Sequence, residues 1–103
     1  MELTDYRRKL DDIDQKLLNL FVERMNIASE IALLKKEKNL PVLDVRREQE
    51  KLQQIEACCP SELAEYSRAL FSTLMELSRS RQNRILNSAD GKAAERNNNS
   101  EVV

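Results

Sequence analysis

An all-α protomer of three helices, the first of them very long and in need of a second copy to cover it, is what this 103-residue chain predicts. Three observations carry that reading. The run from Thr4 to Lys38 holds neither Gly nor Pro. The whole chain has one Gly and two Pro, which starves hairpins of turn residues. Apolar residues recur at spacings of three and four, the period of a helix with one buried face.

The first helix runs from about Thr4 to Lys38, with Thr4 or Asp5 as its expected cap. Stepping by three and four traces Arg7, Leu10, Asp14, Leu17, Phe21, Arg24, Ala28, Ile31 and Lys35. Beside that line, every seven residues, lie Tyr6, Ile13, Leu20, Ile27 and Leu34. Together they form a wide apolar stripe, yet Arg7, Arg24 and Lys35 sit on it. A cation on a buried seam is costly unless something negative meets it. Such side chains often lay their stems on the stripe and reach water with their heads. Three on one line, with few acids on that line to answer them, point instead to an anionic ligand bearing more than one carboxylate or phosphate.

Length adds a second inference. About 35 helical residues span roughly 50 Å, whereas a compact domain of this size has a radius of gyration of about 13 Å. One copy cannot wrap such a rod, and a two-fold homodimer is the simplest cover. Arg7 and Arg24 stand roughly 26 Å apart along the axis, too far to grip one small molecule from one helix. Across an antiparallel dimer, Arg7 of one chain can approach Arg24 and Lys35 of the other, so the expected site is shared between chains.

Asn39-Leu40-Pro41 should end the first helix, because Pro41 lacks an amide hydrogen and disfavours helical geometry at Leu40. Lys35, Lys36 and Lys38 near that end suit its negative dipole. Val42 and Leu43 then run extended, and Asp44 caps a second helix from about Val45 to Ala57. Its inward line reads Val45, Glu48, Leu52, Ile55 and Cys59. Glu48 is again a charge on an apolar face; pairing with Arg47 in solvent is the plain structural explanation for it.

Pro60 and Ser61 separate this helix from a third, for which Ser61 is the expected cap and Leu86 the approximate end. Leu63, Leu70, Leu74 and Leu77 make its expected core line. A neighbouring line, Phe71, Met75, Ser78, Gln82 and Ile85, places two neutral hydrogen-bonding groups one turn apart within an apolar row. A domain over 1–86 is therefore expected. Residues 87–103 carry little to bury and read as a flexible polar tail or linker.

Composition narrows the function classes. Seventeen basic residues against eighteen acidic ones give a net charge of −1, which argues against a general nucleic-acid binder and gives no reason to invoke a membrane surface. The chain has no long apolar span, and its start, Met1-Glu2-Leu3-Thr4-Asp5, lacks the features of a secretory signal. Cys58 and Cys59 are adjacent, a poor basis for a structural disulfide, and a reducing cytoplasm is the default reading. With no His and only these thiols, neither a zinc site nor a serine–histidine triad is expected.

The polar groups on inward faces are thus Arg7, Arg24, Lys35, Asp44, Arg47, Glu48, Ser78 and Gln82. Four are cations, two are acceptors able to hold a hydroxyl, and two are neutral. The set suits a small dianion that also carries a hydroxyl, and it offers conformational and electrostatic chemistry rather than a nucleophile. No cofactor and no metal is called for.

These residues, at these intervals, resemble the all-helical (type II) class of chorismate mutase. The likeness runs through Tyr6-Arg7-Arg8-Lys9-Leu10, Ile13-Asp14-Gln15-Lys16-Leu17-Leu18, Glu23-Arg24, Lys35, Pro41-Val42-Leu43-Asp44-Val45-Arg46-Arg47-Glu48, Ser78 and Gln82, covering about residues 3–86. It implies an intertwined homodimer with two active sites, each borrowing an arginine from the neighbouring chain. It also implies roles: Arg7 of the partner, Arg24 and Arg47 on the two carboxylates of chorismate, with Ser78 assisting. Lys35 and Gln82 would donate to the ether oxygen, and Asp44 and Glu48 would hold the ring hydroxyl. The implied reaction is the Claisen rearrangement of chorismate to prephenate.

Two other functions remain open on these residues. One is an isochorismate pyruvate-lyase on the same scaffold, although Asp44 and Glu48 together favour the mutase. The other is a non-enzymatic helical dimer or regulatory domain whose seam cations meet a partner's acids. A mutase domain cut from a longer aromatic amino acid biosynthesis enzyme is a further reading, with the polar tail as linker.

Overall fold

The computed structural model describes residues 1–90 and is helical throughout its regular elements. Three α-helices follow one another: α1 over Leu3–Glu37, α2 over Val45–Cys58 and α3 over Ala64–Asp90, the last preceded by a 3-10 turn over Ser61–Leu63. The helix α3 packs against both α1 and α2. Residues 91–103, which include most of the expected tail, lie outside the described part. Asn87 and Ser88, expected in that tail, continue α3 instead.

The start of α1 differs from expectation by a turn fragment. Glu2 is the capping residue, and the Asp5 carboxylate accepts from the Glu2 amide at 3.0 Å, so Asp5 serves three positions inside the helix. The other end follows from one residue. Asn39 takes φ 56°, the left-handed region. That lets Asn39 donate to the Lys36 carbonyl at 3.2 Å and Leu40 to the Lys35 carbonyl at 2.8 Å, the paired bonds of a Schellman stop. Asn is among the few residues that accept this conformation readily, and Pro41 then prevents any restart.

The cap of α2 is the expected one: the Asp44 carboxylate accepts from the Arg47 amide at 3.0 Å. Ser61 does not cap α3. It sits in the first turn of the 3-10 segment, where the Leu63 amide bonds to the Pro60 carbonyl at 2.9 Å.

The protomer is thin, with extents of 53 × 34 × 14 Å and a radius of gyration of 17.0 Å. Its long axis is that of α1. Its buried apolar residues are few, Ala28 and Ala32 on α1, Leu52 on α2 and Met75 on α3, among the described residues. Ala28 and Ala32 stand one turn apart, and their small side chains let α3 approach closely. On α3 the inward row is the one with Met75 and Gln82, whereas Leu63, Leu70 and Leu77 of the expected core line are exposed. On α2, Leu52 faces inward but Val45 does not. The reason is the same in both: each apolar stripe is wider than the arc that one chain's other helices can cover. On α1, Leu10, Ile13, Leu17 and Leu20 are all more than half exposed.

Candidate active site

The turn over residues 38–44 leads into α2, which packs on α3, and a cleft of about 370 Å³ is lined by residues of all three helices. Seven of the eight residues singled out from sequence line it: Arg24, Lys35, Asp44, Arg47, Glu48, Ser78 and Gln82. They come from α1, the α2 cap, α2 and α3, so no single helix makes the site. The eighth, Arg7, is not brought there. It lies exposed in the uncovered first third of α1, roughly 26 Å from Arg24 along the axis.

Each side chain has a physical reason for its place. Arg24 and Lys35 are half-buried, on the face that also carries Ala28. Lys35 Nζ donates to the Val42 carbonyl oxygen at 2.7 Å, tying the end of α1 to the turn. An ammonium has three hydrogens, so two remain for an anion. Asp44 is held by its capping bond, which fixes it at the mouth beside the start of α2. Arg47, one turn on, is largely exposed but lines the cleft.

Gln82 is 5% exposed. Its Nε2 donates to the Ser78 hydroxyl oxygen at 3.1 Å, while its Oε1 is buried without a partner. A buried polar atom without a partner is rare and calls for a reason. This one belongs to a side chain that lines the cleft. Because a hydroxyl both donates and accepts, a half-turn of the amide keeps the bond to Ser78 and presents the NH2 instead. Gln82 can therefore offer an acceptor or a donor to whatever fills the cleft.

Glu48 is not paired with Arg47 in solvent. Its carboxylate is half-buried and takes two hydrogen bonds from Arg79 Nη1 on α3, at 2.5 and 2.6 Å. Arg79 and Lys51 both line the cleft and were not among the sequence candidates. A signal for Arg79 exists: it stands four residues after Met75 and three before Gln82, so it is a cation on an inward row like those of α1. Lys51 follows Glu48 by three and precedes the core residue Leu52, and no pattern marked it. Elsewhere the helices are joined by Arg81 Nε donating to the Ser29 hydroxyl oxygen at 3.1 Å and by an Arg68–Glu56 ion pair at 3.4 Å.

The arrangement is a positively charged pocket with two carboxylates on one wall. Arg24, Lys35, Arg47, Lys51 and Arg79 line it together with Asp44 and Glu48. Such a pocket can hold a small dianion in one conformation and present a donor to a particular oxygen of it.

Residues 6–83 match the model of chorismate mutase type II. The chain belongs to the type II chorismate mutase family. A chorismate mutase of Methanocaldococcus jannaschii is 34% identical over 58 residues. That match covers 56% of this chain and 59% of the archaeal chorismate mutase, so the chain is aligned to little more than half of its relative. All three helices of the described chain contribute to the segment matched by the family model, which reaches one residue past Gln82. No helix among the described residues is long and apolar enough to cross a membrane.

Proposed function

We propose that the chain is a chorismate mutase that converts chorismate to prephenate without a cofactor, working as a homodimer in the cytoplasm. The observation that carries this is the shared cleft, where residues far apart in sequence supply clustered cations, two carboxylates and an amide with one unpartnered atom. Membership of the family and the archaeal relative's name support the same reading.

In the proposed site, Arg24, Arg47 and the partner's Arg7 bind the two carboxylates of chorismate, with Ser78 assisting. This holds the enolpyruvyl arm over the ring, in the geometry from which a carbon–carbon bond forms as the carbon–oxygen bond breaks. Both changes occur within one molecule, and no proton or leaving group is exchanged. Negative charge gathers on the ether oxygen as its bond lengthens. Lys35, with Gln82 in its amide-out orientation, donates to that oxygen. These contacts strengthen toward the transition state, which is what accelerates a reaction. Asp44 and Glu48 accept from the ring hydroxyl. The two free thiols, Cys58 and Cys59, accord with a reducing compartment.

The test is direct: purified chain is added to chorismate and, separately, to isochorismate, and loss of ultraviolet absorbance is followed together with prephenate and pyruvate. Prephenate formation without pyruvate supports the mutase. Pyruvate release from isochorismate, with chorismate untouched, would establish the lyase instead, and inertness toward both would leave a non-enzymatic helical dimer.

A further inference from the structure

We propose that Arg79 is a positioning residue, acting through Glu48 to set where the hydroxyl of the bound substrate is accepted; this rests on the mutase reading above. The structural basis is the contact between α3 and α2. One nitrogen, Nη1 of Arg79, donates to both oxygens of Glu48 across 31 positions of sequence. The side chains are 31% and 22% exposed, and both line the same cleft as Lys35 and Gln82.

Three consequences follow from that geometry. Two bonds from one nitrogen on α3 hold the carboxylate in place, where a lone glutamate would sample several rotamers. A carboxylate has about four acceptor positions, so the two bonds from Arg79 leave room for one from a ligand hydroxyl. Arg79 also supplies the charge that Glu48 needs in a pocket meant for a dianion. Without it, Glu48 would either repel the substrate carboxylates or draw on Lys51 or Lys35. The second choice would divert a cation from the wall where the ligand sits.

The consequence is selective. Arg79 touches Glu48 in this structure, and Glu48 meets only the hydroxyl, so the loss of Arg79 should be felt through that hydroxyl and not through the carboxylates or the ether oxygen. The pair also joins α2 to α3, which gives a plain structural role to compare with. The two roles separate with a substrate analogue that carries hydrogen in place of the ring hydroxyl.

The experiment measures kcat and KM of the full chain and of Arg79→Met and Arg79→Lys, on chorismate and on its deoxy analogue. Circular dichroism and thermal midpoints check folding. Positioning through Glu48 predicts that Arg79→Met loses about 10- to 100-fold in kcat/KM on chorismate, the size of one charge-assisted contact. The deoxy analogue should change by less than about threefold, and Arg79→Lys should recover part of the loss, since Lys can still reach the carboxylate as a point charge. Equal losses on both substrates would assign Arg79 to structure alone and overturn the proposal. So would an unchanged rate on chorismate. If Arg79→Met does not fold, Arg79→Lys decides alone, because a flexible ammonium in place of the planar guanidinium holds the carboxylate less firmly and should narrow the preference for chorismate over the analogue. An unmodified chain inert toward chorismate would overturn the mutase reading itself, a result distinct from any of these.

Discussion

Lys35 faces the largest electrostatic demand of any side chain in the proposed site. Its ammonium is anchored by the Val42 carbonyl and has two hydrogens left for the oxygen on which charge develops. Replacing it by alanine should lower turnover by about 10²–10³, the cost of removing one preorganised donor. Stability should change little, because the group is only half-buried and the Schellman bonds at Asn39 and Leu40 hold the turn without it. Steady-state kinetics beside a thermal melt measures both, and near-normal turnover would remove Lys35 from the mechanism. At this scale much of the site was legible beforehand. Arg24 and Lys35 stood out because a cation on an apolar row must be answered by something, and Ser78 and Gln82 because two neutral polar groups interrupt such a row. Arg79 obeys the same logic but is hidden among Arg68, Arg81 and Arg84 on one helix. Periodicity within α3 cannot say which of them meets a carboxylate on α2 and which a hydroxyl on α1. That depends on how the helices dock, and docking is not written in any one segment.

The elements were legible for a related reason, and their ends less so. The bodies of the three helices follow from period and from the absence of breakers. The Asp44 cap follows from residue chemistry that acts within four positions. The errors fall where several local solutions compete. Glu2 rather than Thr4 or Asp5 begins α1, because Asp5 three positions on closes a capping box on the Glu2 amide, and a 3-10 turn absorbs Ser61. The inward row of α3 could not be chosen from sequence either, because its leucine row and its Met75 row are both apolar enough. One terminus makes a sharp prediction. Asn39 is the residue that reverses the chain after α1, and it does so with φ 56°. Asn39→Ala should destabilise by about 1 kcal/mol, because a Cβ without a polar group to stabilise the left-handed region clashes there. Asn39→Gly should be neutral or slightly stabilising. Urea unfolding at one fixed chain concentration, which holds the contribution of association constant, makes the comparison. An alanine variant as stable as the parent would mean that Pro41 alone ends the helix.

For the molecule as a whole, the issue is what covers α1. A radius of gyration of 17.0 Å against about 13 Å for a compact chain of this length leaves a long apolar row in water. Leu10, Ile13 and Leu17 are each more than half exposed on the same stretch that holds Arg7. A second copy laid antiparallel would bury the row and carry Arg7 toward the cleft of its neighbour, so association and catalysis become one requirement. Leu17→Glu should therefore yield monomers by sedimentation, in place of particles of twice the 12.0 kDa chain mass, and abolish turnover although it touches no substrate. Mixed dimers test the sharing itself. An Arg7→Ala chain and a Lys35→Ala chain should each be nearly inactive alone. When they are unfolded together and refolded in equal amounts, about half the dimers contain one of each. Every such dimer has one site with intact Lys35 and the partner's intact Arg7, and one site lacking both. Total activity should then return to roughly a quarter of the parent value, as two-fold symmetry requires. Recovery of nothing would place Arg7 outside the site and leave the exposed row of α1 without a catalytic reason to be covered.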